Sequence, residues 1–123
     1  MIYGIGVDSA SVQRMEEKLK KEHFVQRVFG KEEQQLFADK KKSAAQSAAA
    51  NFAAKEAFLK AAGTGLGGFC LIDIQAVRKE SGAPEYLLSG TAKEFLIAKG
   101  LKAHLSMTHE EGIATAFCIF EQI

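Results

Sequence analysis

The sequence predicts an α+β fold, and three observations carry that prediction. Apolar residues alternate with glycine or polar residues through Tyr3 to Asp8 and again through Leu101 to Thr108, the period-two signature of strands. An alanine-rich run leading to about Ala62 reads as one long helix. Phe69 to Val77 and Glu85 to Leu88, separated by Ser81-Gly-Ala-Pro84, read as a strand, its turn and the returning strand.

In chain order, Met1-Ile-Tyr-Gly-Ile-Gly-Val-Asp8 sends Tyr3, Ile5 and Val7 to one face and Gly4, Gly6 and Asp8 to the other. The structural alternative for Asp8, compatible with a functional one, is to cap a helix starting near Ser9 or Ala10. Val12, Met15 and Leu19 begin an apolar stripe that continues through Phe24, Val25 and Val28 to a stop at Gly30, as one helix or two pieces. Lys31 to Asp39 is a second helix, ended by the turn Lys40-Lys41-Lys42-Ser43, and Ser43 is the expected N-cap of the long helix. Gly63-Thr-Gly-Leu-Gly-Gly68 stops that helix. Thr91 to Lys99 is a helix with Gly100 as its stop, and strands over Leu101 to Met107 and Ile113 to Phe120 end the chain.

At 123 residues, 47% hydrophobic and 25% charged, the composition is that of one ordinary globular domain, expected to cover residues 1–123. A net charge of +1 gives no global pull toward nucleic acid or a membrane surface. The first apolar stretch is far too short to span a bilayer and lacks the charge pattern of a signal peptide, so a soluble, cytoplasmic protein is expected. Cys70 and Cys118 lie on apolar runs without metal-like spacing and are expected as reduced core cysteines.

The chemistry concentrates in Phe52-Ala-Ala-Lys-Glu-Ala-Phe-Leu-Lys-Ala-Ala-Gly63. Helical geometry places Glu56 among Ala45, Ala49, Phe52, Leu59 and Gly63, with Lys60 one turn further along. A carboxylate there needs a metal ion, a cationic group of a substrate, or Lys60 itself as partner. A plain surface pair with Lys60, or one with Lys55, is the structural alternative. Asp8 supplies a second acidic group, at the end of a strip whose glycines admit close approach by a backbone, a helix or a ligand.

Three further patterns are less specific. The glycine-rich segment after the long helix lacks the Lys-Ser/Thr of a phosphate-binding loop and on its own reads as a helix stop. Alternation in the Leu101 strand lines up Lys102, His104, Ser106 and Thr108 on one face, opposite Leu101, Ala103, Leu105 and Met107. His104 and His109 lack a third ligand suited to zinc. Arg14, Lys18 and Lys21 recur at i, i+4, i+7 as a basic stripe, with Arg27 beyond, which is either a solvated face or a docking surface.

Gly4-Ile-Gly-Val-Asp8, Phe52-Ala-Ala-Lys-Glu-Ala-Phe-Leu-Lys60 with Gly63-Thr-Gly65, and His104-Leu-Ser-Met-Thr-His109 together resemble the signature blocks of bacterial holo-(acyl-carrier-protein) synthases. These are the small, single-repeat 4′-phosphopantetheinyl transferases, and the resemblance spans nearly the whole chain. It implies a small antiparallel sheet packed with a long central helix, in a homotrimer whose active sites are shared between subunits. The implied reaction is attack of a carrier-protein serine on the β-phosphate of coenzyme A, leaving 3′,5′-ADP. Asp8 and Glu56 would hold Mg²⁺, and Asp8, Glu56 and Lys60 would form the catalytic set, with Glu56 or Lys60 handling the serine proton. Lys42, Lys60, Gly63, Thr64, Pro84, His104 and Ser106 would line coenzyme A. Arg14, Lys18, Lys21 and Arg27 would meet an acidic acyl carrier protein.

This chain departs from the resembled pattern at Asn51, where the family typically carries arginine, which puts recognition of the 3′-phosphate in question and makes Lys42 a compensating candidate. Ala83 stands where a lysine is frequent, and Ser9 and Ser11 replace an acidic residue. A non-catalytic carrier-protein or nucleotide-binding module that keeps the fold is the alternative reading. A pure binder has no need of Asp8, Glu56 and Lys60 together.

Overall fold

The computed structural model describes all 123 residues, the side chain of Leu66 excepted. β1 (Ile2–Ser11) outruns its expected end at Asp8, because its antiparallel pairing with the last strand continues to the Ser11–Ile113 register. Asp8 therefore stays in the strand and caps nothing. Ser11 is the cap instead, its Oγ accepting the Arg14 backbone N–H at 3.1 Å.

α1 (Val12–Lys18) and α2 (Glu22–Val28) are separate helices, the chain turning through Leu19 to Lys21. α3 (Lys31–Lys40) and a 3₁₀ turn (Lys41–Ser43) lead into α4 (Ala44–Ala62). Ser43 is the N-cap residue of α4 as expected, but its side chain makes no capping bond, its hydroxyl donating back to the Lys40 carbonyl at 3.4 Å. Gly63 ends α4 in the left-handed conformation, with φ +78°.

The strand expected from Phe69 begins only at Ile74, after a 3₁₀ turn over Leu71–Asp73. A buried ammonium explains the break: the carbonyls of Leu71 and Ile74 both point at Lys55 Nζ, at 3.1 and 2.6 Å. Cys70, on the coil before this turn, is exposed rather than part of the core, whereas Cys118 is buried and its thiol is pushed up to about 12 by that burial. Both thiols are free.

β2 (Ile74–Arg78) and β3 (Pro84–Leu88) form a two-stranded hairpin. After α5 (Gly90–Lys99), β4 (Leu101–Glu110) and β5 (Ile113–Gln122) join β1 in an antiparallel sheet of order β1-β5-β4. The two residues between them, Glu111 and Gly112, both take positive φ, the twist a tight hairpin needs.

α4 lies directly on β1. A Cβ at Gly4 or Gly6 would overlap the carbonyl oxygens of Ala61 and Ala57, so the glycine strip is there to admit a helix backbone. Alanine serves the same approach from the other side, and aromatic rings fill what it leaves: Phe58 stands edge-on to Phe120 at 4.8 Å, and Phe29 to Phe37 at 4.9 Å. Among the described residues no helix is long and apolar enough to cross a membrane.

Candidate active site

From Ala48 to Ala61, α4 is buried everywhere except at Phe52, Glu56 and Lys60, spaced i, i+4, i+8. Glu56 thus stands on the helix's one open strip rather than in the middle of an apolar face, since β1, β5, α3 and β2 cover the other sides. The strip faces Asp8, which β1 turns inward behind Gly4 and Gly6.

Lys60 Nζ donates to Asp8 Oδ1 at 3.0 Å and to the Val7 carbonyl at 3.0 Å. The partner of Lys60 is therefore Asp8, not Glu56. Burial raises the Glu56 carboxyl above its ordinary value, the Asp8 charge raises it further, and the Lys60 and Lys18 ammoniums oppose both. The centre holds two carboxylates and two ammoniums, and it has no hydrogen-bonded partner on Glu56 among the described contacts.

Among the described residues no three His, Cys, Asp or Glu side chains group into a metal cage. Two carboxylates are what Mg²⁺ uses when phosphates and waters complete its octahedron, and the like-charge strain on Glu56 is what a divalent cation would relieve. The donor set fits such an ion.

Lys55, proposed as a possible partner of Glu56, points the other way. It is fully buried in an ion pair with Glu33 at 2.5 Å, and Asn51 completes the cluster by donating to Glu33 Oε2 and the Ala76 carbonyl. Burial outweighs the pairing, pushing Lys55 down and Glu33 up. Asn51 and Lys55, spaced i, i+4, share a helix side with Ala48 and Phe58, which was the available signal for a buried polar cluster.

The remaining sequence-derived residues fall into four places. Arg14 and Lys18 line a recess of about 150 Å³ with Ser9, Ser11 and Phe52, and Lys18 Nζ lies 5.3 Å from the Phe24 ring and 5.6 Å from that of Phe52. Lys21 and Arg27 belong to the α2 side of the break, so the basic stripe is divided between two helices instead of running along one. Gly63 and Thr64 lie exposed at the end of α4, and Lys42 is exposed on the turn before it.

Pro84 borders a cavity of about 230 Å³ between the start of α4, the β2–β3 hairpin and the end of β4. Gln46, Arg78 and His109 line it too, Gln46 Nε2 lying 2.8 Å from His109 Nε2, whereas Lys42 is not among its lining residues. Asn51 is fully buried behind this cavity, so it cannot itself meet a ligand.

His104 and Ser106 point out from the far face of the sheet. In register they lie across from Ile119 and Phe117, which in turn pair with Ile5 and Val7, the face opposite α4. His104 Nε2 lies 2.9 Å from Glu121 Oε1, and the imidazole holds that carboxyl below its usual range. Within one chain, then, His104 and Ser106 do not meet Asp8, Glu56 and Lys60.

The family model of the 4′-phosphopantetheinyl transferase superfamily matches residues 4–118. The holo-[acyl-carrier-protein] synthase of Treponema denticola is 45% identical over 98% of this chain and 99% of its own. The crystal structure of the synthase from Neisseria meningitidis superposes with a TM-score of 0.89 at 35% identity, covering 99% of this chain and 100% of that one. The Bacillus anthracis synthase, solved in complex with CoA (3′,5′-ADP), gives 0.84 at 31% identity over 100% and 99%.

Proposed function

This chain belongs to the 4′-phosphopantetheinyl transferase superfamily, and we propose that it moves the 4′-phosphopantetheine of coenzyme A onto a serine of an apo acyl carrier protein, releasing 3′,5′-ADP. The observation that carries the reading is the Asp8–Lys60 ion pair with Glu56 beside it on the open strip of α4. A relative that binds CoA (3′,5′-ADP) supports coenzyme A as the donor.

The serine oxygen forms a bond to the β-phosphorus, and the bond from that phosphorus to the bridging oxygen breaks, with its electron pair leaving on 3′,5′-ADP. Glu56 accepts the serine proton, directly or through a water, a task suited to a carboxylate whose basicity burial and Asp8 have raised. Lys60, more than half exposed, donates to the pyrophosphate oxygens as charge gathers on the leaving side. Asp8 orients Lys60. Asp8 and Glu56 would also hold Mg²⁺, which supplies neutralisation of the phosphate charge.

The acidic carrier approaches over α1, where Arg14 and Lys18 border the recess that Phe52 lines, one turn of α4 before Glu56, with Lys21 and Arg27 adding charge from α2. Tyr3, Ile5, Val7 and Phe117 make an exposed apolar face on the outer side of the sheet, which a second copy of the chain would cover. A pocket lined by Ile5, Val7, Lys60 and Phe117 wraps the free edge of β1, so that face is continuous with Lys60. A homotrimer with His104 and Ser106 of one subunit beside Asp8, Glu56 and Lys60 of the next joins the two halves of the site.

The test is release of 3′,5′-ADP from coenzyme A with Mg²⁺ and an apo carrier protein, measured beside a carrier whose acceptor serine is alanine. Stoichiometric release with the intact carrier and none with the serine-less one is expected. Binding of coenzyme A without release, across fatty-acid and polyketide carriers, would instead make the chain a binding module.

A further inference from the structure

Among the described residues, one buried side-chain nitrogen or oxygen has no hydrogen-bond partner, Arg78 Nη1. Native folds rarely leave a cationic donor buried and unpaired, and each case calls for an explanation such as a functional role or a bound water or ion. Arg78 lines the 230 Å³ cavity that also holds Gln46, Ser47, Pro84 and His109.

The guanidinium is held in place. Its Nη2 donates to Asn51 Oδ1 at 3.0 Å. The Asn51 amide is itself fixed, because its nitrogen donates to Glu33 Oε2 at 3.0 Å and the Ala76 carbonyl at 2.9 Å, leaving only the oxygen to face Arg78. An asparagine grips the arginine without neutralising it, and among the described residues no carboxylate lies within ion-pair distance of Arg78, the Glu33 charge acting on it from further off. The cavity wall therefore carries a preset guanidinium with no carboxylate partner, the kind of group that recognises a phosphate.

Coenzyme A carries two separated anionic groups, a pyrophosphate and a 3′-phosphate monoester. Lys60 accounts for the first. From Ser47, beside the cavity, to Lys60 is about 20 Å along α4, too far for both groups of one donor on the same chain. In a site shared between subunits, the cavity of one subunit takes the monoester while Lys60 of the next takes the pyrophosphate. We propose that Arg78 is the residue that recognises the 3′-phosphate of coenzyme A, with Asn51 as its positioning residue. The assignment rests on the donor reading given above.

The experiment compares kcat/KM for coenzyme A and 3′-dephospho-coenzyme A in the parent, Arg78→Gln and Arg78→Lys, with folding checked by thermal unfolding. The parent is expected to favour coenzyme A, and the ratio of the two constants to fall about tenfold or more in Arg78→Gln, as for loss of a charge-assisted contact. Arg78→Lys keeps a charge but no fork, so its ratio falls between the two. Asn51→Ala should raise the KM for coenzyme A with kcat retained. In a companion titration, the parent binds 3′,5′-ADP more tightly than 5′-ADP, and inorganic phosphate competes only weakly. A parent that transfers from neither donor refutes the proposed function. A parent that transfers with a ratio unchanged in folded Arg78→Gln, or in Arg78→Lys where the glutamine variant does not fold, overturns the Arg78 assignment alone.

Discussion

Glu56 is held where its charge is disfavoured, first by burial and then by Asp8, and the pH dependence of stability should record it. Its folded-state pKa lies above its unfolded one, so the folded protein holds the proton more tightly between those two values. Stability from this group therefore falls as pH rises through that window, and the cost is fully present above it. Without added metal, Glu56→Gln should raise Tm at neutral pH, and the gain should vanish below about pH 4. A Tm gain of the same size at both pH values would mean the charge carries no penalty. At this scale the sequence was partly legible. Asp8 and Lys60 stood out because a strand of glycines and a helix repeat point at them. Arg78 did not, because its significance comes from Asn51, and Asn51 from Glu33 and Ala76, contacts that join residues 18 to 43 positions apart.

β1 and α4 form the element pair on which the site depends, and the contact is backbone against backbone. Gly6→Ala should push the strand off the Ala57 carbonyl, costing about 1–3 kcal/mol in urea unfolding, and should lower transfer more than it lowers coenzyme A binding, because Asp8 moves away from Lys60. A variant as stable and active as the parent would deny the close approach. α1 offers a second test. Arg14→Glu should raise the apparent KM for the carrier and flatten its salt dependence, with little change in the KM for coenzyme A. If both constants shift together, the basic surface has a structural role. Most elements could be read from periodicity and glycine stops. The sequence leaves the break between α1 and α2 open, as one helix or two pieces, and the late start of β2 could not be read, since it is imposed by a buried Lys55 that needs carbonyl acceptors.

On the scale of the whole molecule, the sheet separates Asp8, which faces α4, from His104, which faces outward beside Ile5, Val7 and Phe117. Strand alternation showed these faces in the sequence, but whether another subunit covers one of them is not written in any single strand. Ile5→Lys places a charge in the middle of the apolar outer face, 60% exposed in the isolated chain. Light scattering should then show monomer in place of trimer, with transfer lost although Glu56 and Lys60 are untouched. A monomeric variant with full activity would mean one chain suffices.

The central claim is that the Asp8, Glu56 and Lys60 centre transfers phosphopantetheine, and intact-mass analysis of an apo acyl carrier protein after incubation with coenzyme A and Mg²⁺ tests it most directly. The parent should convert the carrier to the heavier phosphopantetheinyl form, while Glu56→Gln, folded and of equal or higher Tm, should leave it unmodified. A carrier left unmodified by the parent, or converted by Glu56→Gln at the parent's rate, would contradict the account.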